Sequence, residues 1–452
     1  MPAATPARRI AYQVLEDVAA GSFGEEALSE RLERGKKLSD LDRGLVTEIV
    51  YGVLRWRARL DGIVGRCSNR PLQEISPGIR QVLRIALYQM FLLDRIPDYA
   101  AVDQAVAHTR MLFGERPALF VNAVLRRAAR EKEIADPPPG DGAESLALYY
   151  SHPLWLVTKW LDKLGPAVTT RILRENNSPP PVFLRANTLR ISREALVEAL
   201  RSSGVEAVAV ETLPDAVRIS APAGSAWSLP GYDAGLFTMQ DCAAQMIAPL
   251  QRVEPGDSVL DACASPGGKT SHLAAIARNQ AQILAMDIDE FRLVEMGANL
   301  ARLGVAGVEP ILGDAADREF VKTLGLFDRV LVDAPCSNLG VLGRSPEARL
   351  RTKPEDPARF AEVQLRMLKA AASVLRPGGA LLYSVCTVTE EETTGLATRF
   401  LAETPDVALD PITPAEASRV SFVDQHGFFT TFPPPEGQRL DGFFAARFQN
   451  TI

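Results

Sequence analysis

An all-α N-terminal domain, a small α+β middle domain and an α/β C-terminal domain are the multidomain architecture this sequence predicts. Three observations carry it. Apolar residues recur at four-residue spacing through roughly the first 136 positions, the period of a buried helix face. Pro137-Pro138-Pro139-Gly140-Asp141-Gly142 then breaks the pattern with the composition of a linker. From about residue 236, short apolar runs alternate with helical stretches, the pattern of a parallel sheet covered on both faces. The boundaries expected are 1–136, 144–235 and 236–452, and a chain of 452 residues has ample length for several cores.

In the first region Ile10, Val14 and Val18 share a helix face. So do Leu45, Ile49 and Val53, then Leu83, Leu87 and Phe91, then Phe120 and Val124. Gly21, Gly24, Gly35 and Pro71 punctuate six or seven helices. Basic residues gather here: Arg55, Arg57 and Arg59 around Trp56 with Arg66 and Arg70, and later Arg116, Arg126, Arg127, Arg130 and Lys132. They read either as solvated helix faces or as a phosphate-contacting surface. In the second region a helical stretch over 146–165 and a proline break at Pro179–Pro181 precede strand 182–187. Helix 192–204 and strands 205–210 and 216–220 follow. The third region offers strands at Ser258–Ala262, Ile283–Asp287, Val308–Leu312, Arg329–Asp333 and Ala380–Val385. A helix over 360–379 is expected to end on Gly378-Gly379. The last motifs, around Phe428 and Phe443, read as an antiparallel hairpin on the sheet edge.

Composition is that of a globular protein, 46% hydrophobic and 23% charged, and a net charge of −6 gives no global basic signature. The five cysteines form no C-x-x-C pair, which argues against a zinc site or a disulfide framework and for a reducing compartment. His108, His152, His272 and His426 show no metal spacing. Trp56, Trp155, Trp160 and Trp227 read as packing residues. No apolar run reaches membrane-spanning length and no signal-peptide core is present. A cytoplasmic monomer without metal or membrane partner is expected.

Asp261 to His272, DACASPGGKTSH, joins the first strand of the α/β region to a helix. Such a turn makes a cofactor pocket, because Gly267 and Gly268 admit close backbone approach and a helix N-terminus offers free N–H groups. It is not a P-loop, since Cys263 stands where that motif needs glycine, and it contains no dinucleotide-binding G-x-G-x-x-G. Later strands end on acids: Asp287, about twenty positions after the glycines and placed for ribose hydroxyls, then Asp314, placed for an adenine amino group, then Asp333. Two strand ends also carry thiols, Cys336 and Cys386, 50 residues apart. A thiolate adds to electron-poor carbon, and a second thiol beside a carboxylate suits an assisted elimination. From the chemistry alone the two cysteines are exchangeable in role.

The successive motifs DACASPGGKT, MDID, GDA, DAPCS, YSVCT and DGFFAARF resemble those of the RNA cytosine-5 methyltransferases. The helical N-terminal region resembles NusB, an RNA-binding fold. Together they resemble the RsmB (Sun, Fmu) family, which methylates cytosine in bacterial small-subunit (16S) ribosomal RNA. The resemblance implies a Rossmann-like catalytic domain using S-adenosyl-L-methionine. It implies that Cys263, Ala264, Ser265, Pro266, Gly267, Gly268 and Lys269 form the methionine-side loop, that Asp287 holds ribose and that Asp314 holds adenine. Asp333 is implied at both the cofactor and the target cytosine. The family nucleophile corresponds to Cys386, and the cysteine that assists product release corresponds to Cys336. Two departures stand out. Ser345 precedes Pro346 where the family often has a basic residue, and Thr393 follows Glu391-Glu392 where the family has asparagine. Transfer RNA as the substrate, or a catalytically silent RNA-binding scaffold, are the alternatives.

Overall fold

The structure, a computed structural model, describes residues 5–34, 38–220, 228–417 and 422–452. Gly35 and Trp227 lie outside the described residues. The chain divides into two compact units. One holds the residues up to Pro179 with Leu342–Arg351, and the other holds Pro180–Val341 with Thr352–Ile452.

The first unit is helical: α1 (Pro6–Ala20), α2 (Gly24–Arg34), α3 (Asp40–Arg55), α4 (Arg57–Cys67), α5 (Pro77–Leu92), α6 (Asp98–Phe113), α7 (Glu115–Arg130), the single turn α8 (Lys132–Ala135), α9 (Ala143–Tyr149) and α10 (Leu154–Asn176). Starts and stops follow local chemistry. Ser39 caps α3 by accepting from the Asp42 N–H, prolines open α1 and α5, and Gly114 separates α6 from α7. The four-residue seams form the core: Val14, Ile49, Leu83 and Leu87 are fully buried. The helical stretch expected over 146–165 is two helices, parted at 150–153, and α10 is kinked at Gly165 ahead of Pro166.

The first basic cluster is neither a solvated face nor a free phosphate surface at two of its members. Arg55 and Arg59 are buried. Arg59 pairs with Asp136 at 2.6 Å and stacks 3.8 Å from the centre of the Tyr149 ring. Arg55 donates to Gly343 O, and Arg66 to Ala135 O. In the second cluster Arg127 and Arg130 both pair with Glu131, Lys132 pairs with Asp98, and Arg116 and Arg126 are exposed. Trp160 is buried, and Trp56 packs against the helical core.

The second unit opens with four antiparallel strands, β1 (Val182–Ala186), β2 (Ala207–Ala209), β3 (Ala216–Ile219) and β4 (Phe237–Met239), in the order β2-β3-β1-β4, with α11 (Arg193–Ser202) packed on them. After α12 (Cys242–Leu250) come β5 (Ser258–Asp261), α13 (Gly268–Ile276), β6 (Gln282–Asp287), α14 (Glu290–Leu303), β7 (Val308–Leu312), α15 (Arg318–Lys322) and β8 (Phe327–Asp333). The short α16 (Ala348–Arg351) belongs to the helical unit. Then follow α17 (Asp356–Ala372), β9 (Leu375–Val385), α18 (Thr394–Glu403), β10 (Val407–Leu409), β11 (Phe429–Thr430) and β12 (Phe444–Asn450). The large sheet runs β10-β12-β9-β8-β5-β6-β7. Strands β5 to β9 are mutually parallel, and β12 is antiparallel to β9.

Both faces of this sheet are covered, so its strands bury alternate residues in opposite cores. Leu260, Val330, Val332, Leu381 and Tyr383 enter one, and Val259, Leu331 and Leu382 the other. Each fully buried Leu or Val contributes about 1.5–3 kcal/mol. The strand order reverses beside β5, which places a crevice at the carboxyl ends of β5 and β8.

Two elements differ from expectation. The helix expected to reach Gly378-Gly379 ends at Ala372, and the glycines lie inside β9, which starts at Leu375 where the β8–β9 register shifts. The pairing of β11 with β12 is antiparallel as expected, but β12 lies between β9 and β10 rather than at the edge. The three residues of β10 carry too little periodicity to be read from sequence.

Candidate active site

The turn after β5 is shaped by its glycines. Gly267 has φ +90°, and a Cβ there would lie 2.7 Å from Met296 Cγ, so glycine alone fits. The Ser265–Pro266 bond is cis. Gly268 opens α13. Arg185 of β1, buried, donates to Gly268 O at 2.7 Å and to Ser271 Oγ at 2.8 Å, which ties the small sheet to the loop. Burial lowers that guanidinium to about 9. Burial likewise lowers His272 to about 4.

Four carboxylates surround the loop. Asp287, at the end of β6, accepts from the Ser265 N–H at 3.0 Å and the Asp289 N–H at 3.1 Å. Asp314, exposed just after β7, accepts from the Ala316 N–H. Asp333 accepts from Lys269 Nζ at 2.5 Å and Ser384 Oγ at 2.6 Å. Asp261 is buried. Its Oδ2 accepts from Thr270 at 2.7 Å, and its Oδ1 has no hydrogen-bond partner. Burial raises its carboxyl to about 7, with Asp333 and Asp287 adding to the effect. Among the described residues, one ion pair, Lys269–Asp333, serves all four acids. A cluster with excess negative charge and an unpartnered buried oxygen fits a ligand carrying a sulfonium and an ammonium.

The thiols stand at neighbouring strand ends, because β8 and β9 are adjacent and Asp333 lies opposite Ser384. Cys336 Sγ and Cys386 Sγ are 3.4 Å apart. Cys386 is partly exposed and donates to Asn338 Oδ1 at 3.0 Å; Cys336 is buried. The hydrogen bond to Cys386 and burial push the Cys336 thiol well up. Gly340 holds this corner shut: its N–H donates to Cys386 O, its carbonyl accepts from Gly442, and an added Cβ would sit 1.9 Å from Gly442 O. Cys263 is also at the crevice, but burial and its acidic neighbours push its thiol well up, unsuited to a thiolate role.

The structure thus brings together Cys263–Lys269, Asp287, Asp333, Cys336 and Cys386, with Asp314 at the next strand end. Sequence reasoning missed the Lys269–Asp333 pair, the Cys386–Asn338 hydrogen bond, and Phe443, whose ring centre lies 5.2 Å from Lys269 Nζ. It also missed Asp261 and Glu392. A lysine after a glycine pair and an asparagine two residues past a cysteine give no signal of such partners across strands. Asp261 opens the motif and was legible in principle.

Three family models match successive parts of the chain: the NusB family over residues 5–130, an RsmF/B-like ferredoxin-like domain over 152–225, and the 16S rRNA methyltransferase RsmB/F over 248–449. A probable ribosomal RNA small subunit methyltransferase B of Bacillus subtilis is 34% identical over 406 residues, 90% of each chain. The ribosomal RNA small subunit methyltransferase B of Klebsiella pneumoniae is 35% identical, covering 90% of this chain and 96% of its own. The crystal structure of PH0851 superposes with a TM-score of 0.83 at 25% identity, covering 99% of both chains.

Proposed function

We propose, because the chain belongs to the RsmB/F family of 16S rRNA methyltransferases, that this RNA methyltransferase acts on C5 of a cytosine in small-subunit ribosomal RNA. Its N-terminal domain is a NusB domain, its middle domain is small and ferredoxin-like, and its C-terminal domain has the Rossmann-like methyltransferase fold. The observation that carries the chemical reading is the 3.4 Å approach of two thiols beside an acid–lysine pair at a parallel sheet's carboxyl edge.

Bound S-adenosylmethionine supplies a methyl group made electrophilic by its positively charged sulfur. Cys263 to Lys269 would hold its methionine side, with Asp261 buried behind them and its Oδ1 without a partner. Asp287 would take the ribose hydroxyls and Asp314 the adenine amino group. Ile288 and Leu312, 70% and 51% exposed beside these acids, offer apolar surface to the purine.

Cytosine C5 is a poor nucleophile. Cys386 Sγ gives up its proton and adds to C6, which turns C5–C4 into an enamine-like system and places negative charge on N3. Asp333, oriented by Lys269 and Ser384, accepts from the amino group and shares with N3 the proton that neutralises that charge. After transfer the C5 proton passes to water, the pair of that C–H bond restores C5=C6, and the C6–S bond breaks, expelling the Cys386 thiolate. Cys336, close to that sulfur, assists the elimination. The cytosine must leave its stack, which a single-stranded RNA loop makes inexpensive.

The test is transfer of tritiated methyl from S-adenosylmethionine to naked small-subunit ribosomal RNA and to transfer RNA, with the product mapped by bisulfite sequencing. One labelled cytosine in ribosomal RNA is the expected result. Label confined to transfer RNA overturns the substrate, and no transfer by folded, cofactor-binding protein overturns the catalytic reading in favour of a scaffold.

A further inference from the structure

Glu392 is fully buried in the single turn Glu390–Glu392, and among the described residues it forms no ion pair. Its carboxylate instead accepts from five groups. Oε1 takes the Ser337 N–H at 2.9 Å and the Gln364 amide at 3.1 Å. Oε2 takes the hydroxyls of Ser337, Thr387 (3.2 Å) and Thr389 (2.9 Å). Ser337 directly follows Cys336, and Thr387 directly follows Cys386. Their hydroxyls are 2.6 Å apart. Gln364 also donates to Pro335 O, and its own oxygen accepts from Tyr383, so the amide is held in the orientation that faces Glu392.

We propose that Glu392 is the positioning residue of the thiol pair: its carboxylate clamps Ser337 to Thr387 and thereby sets the separation of the Cys336 and Cys386 sulfurs. The inference rests on the two-thiol reading above and deepens it. A buried carboxylate is costly unless its lone pairs are filled, and here five donors fill them, drawn from both cysteine-bearing loops and α17. Glutamine is no substitute. It keeps one acceptor oxygen and turns an NH2 group toward donors. The negative charge also adds to the effects that keep the proton on Cys336.

The test uses full-length wild type, Glu392→Gln and Glu392→Asp. Diamide oxidises two thiols to a disulfide and is itself reduced to the hydrazine, so closure of Cys336 to Cys386, read by peptide mass spectrometry, reports sulfur approach without any RNA. Wild type is expected to close readily. Glu392→Gln is expected to close at least tenfold more slowly. Its kcat is expected to fall by about a hundredfold with little change in KM for RNA, as a misplacement of about 1 Å does. Glu392→Asp, which keeps the charge, is expected to recover part of both. If Glu392→Gln does not fold, Ser337→Ala with Thr387→Val carries the same expectation, because it removes both clamping hydroxyls. A melting temperature that drops while closure rate and kcat stay at wild-type values overturns the proposal and leaves Glu392 structural. Glu392-dependent closure in a protein that methylates no RNA leaves the clamp standing and sinks the proposed function instead.

Discussion

The two ends of the large sheet treat carboxylates in opposite ways. At the amino ends of the parallel strands the acids are matched: Asp257 pairs with Arg329 at 3.1 Å, and Asp328 pairs with Arg376 at 2.5 Å while accepting from the Ser258 N–H. At the carboxyl ends, Asp261, Asp287, Asp314 and Asp333 share a single ion pair, Lys269–Asp333, among the described residues. The strands between are the same apolar runs, so stability does not require this asymmetry. Paired acids fasten the sheet, whereas the carboxyl-end acids, one of them neutralised by burial, suit the proposed cationic cofactor.

Substitutions at the two ends are therefore expected to separate activity from stability. Asp333→Asn at the carboxyl end is expected to cut kcat by about a thousandfold, the range for a group acting on the developing charge. Its melting temperature should hold within a few degrees; a kcat within tenfold of wild type would remove Asp333 from the chemistry. Glycine substitutions sharpen the contrast on the stability side. Gly340→Ala meets backbone at 1.9 Å and is expected to cost more than about 3 kcal/mol in denaturant unfolding. Gly256→Ala, with φ +95° and open space, is expected to cost about 1 kcal/mol. Equal costs would show that the Gly340–Gly442 approach can relax.

Burial holds the Asp261 carboxyl neutral up to about pH 7, above the unfolded value near 3.8. Without ligand, folded-state stability from this group is therefore lost as pH rises from about 4 through about 7. A cationic ligand favours the ionised form. Affinity for S-adenosylmethionine should thus weaken by up to tenfold per unit as pH falls below about 7, with proton release on binding. Calorimetry in buffers of different ionisation enthalpy reads this directly. Binding without proton release, or with the same pH dependence in Asp261→Asn, would refute it. The smallest effect belongs to Asp257→Asn at the amino end, expected to cost about 1–2 kcal/mol of stability and leave kcat within twofold.

The placement of much of the candidate site was legible because its residues sit at strand ends, and strand ends are marked by period changes and small residues. The glycine loop, the acids and both cysteines emerged in that way. What escaped depends on pairings between distant segments. Glu392 lies 55 residues from Ser337, and only the β8–β9 neighbourhood brings them together. The hydroxyl-rich run Thr387 to Thr389 ahead of three glutamates was its one local trace. Arg59 read as a surface cation because nothing nearby in sequence announces Asp136, 77 positions away, as its partner. The glycines Gly378-Gly379 read as a helix stop, but tertiary pairing with β8 drew them into a strand.

The proposed reaction passes through a covalent bond at Cys386 that is released with help from Cys336. A denaturing protein gel after incubation with labelled ribosomal RNA and S-adenosylmethionine detects that bond. Wild type, Cys386→Ala, Cys336→Ala and the double variant are compared. An RNA–protein adduct is expected to accumulate in Cys336→Ala and to be absent from Cys386→Ala and the double variant. An adduct that persists in Cys386→Ala and is lost in Cys336→Ala would contradict the proposed reaction by exchanging the roles of the two thiols.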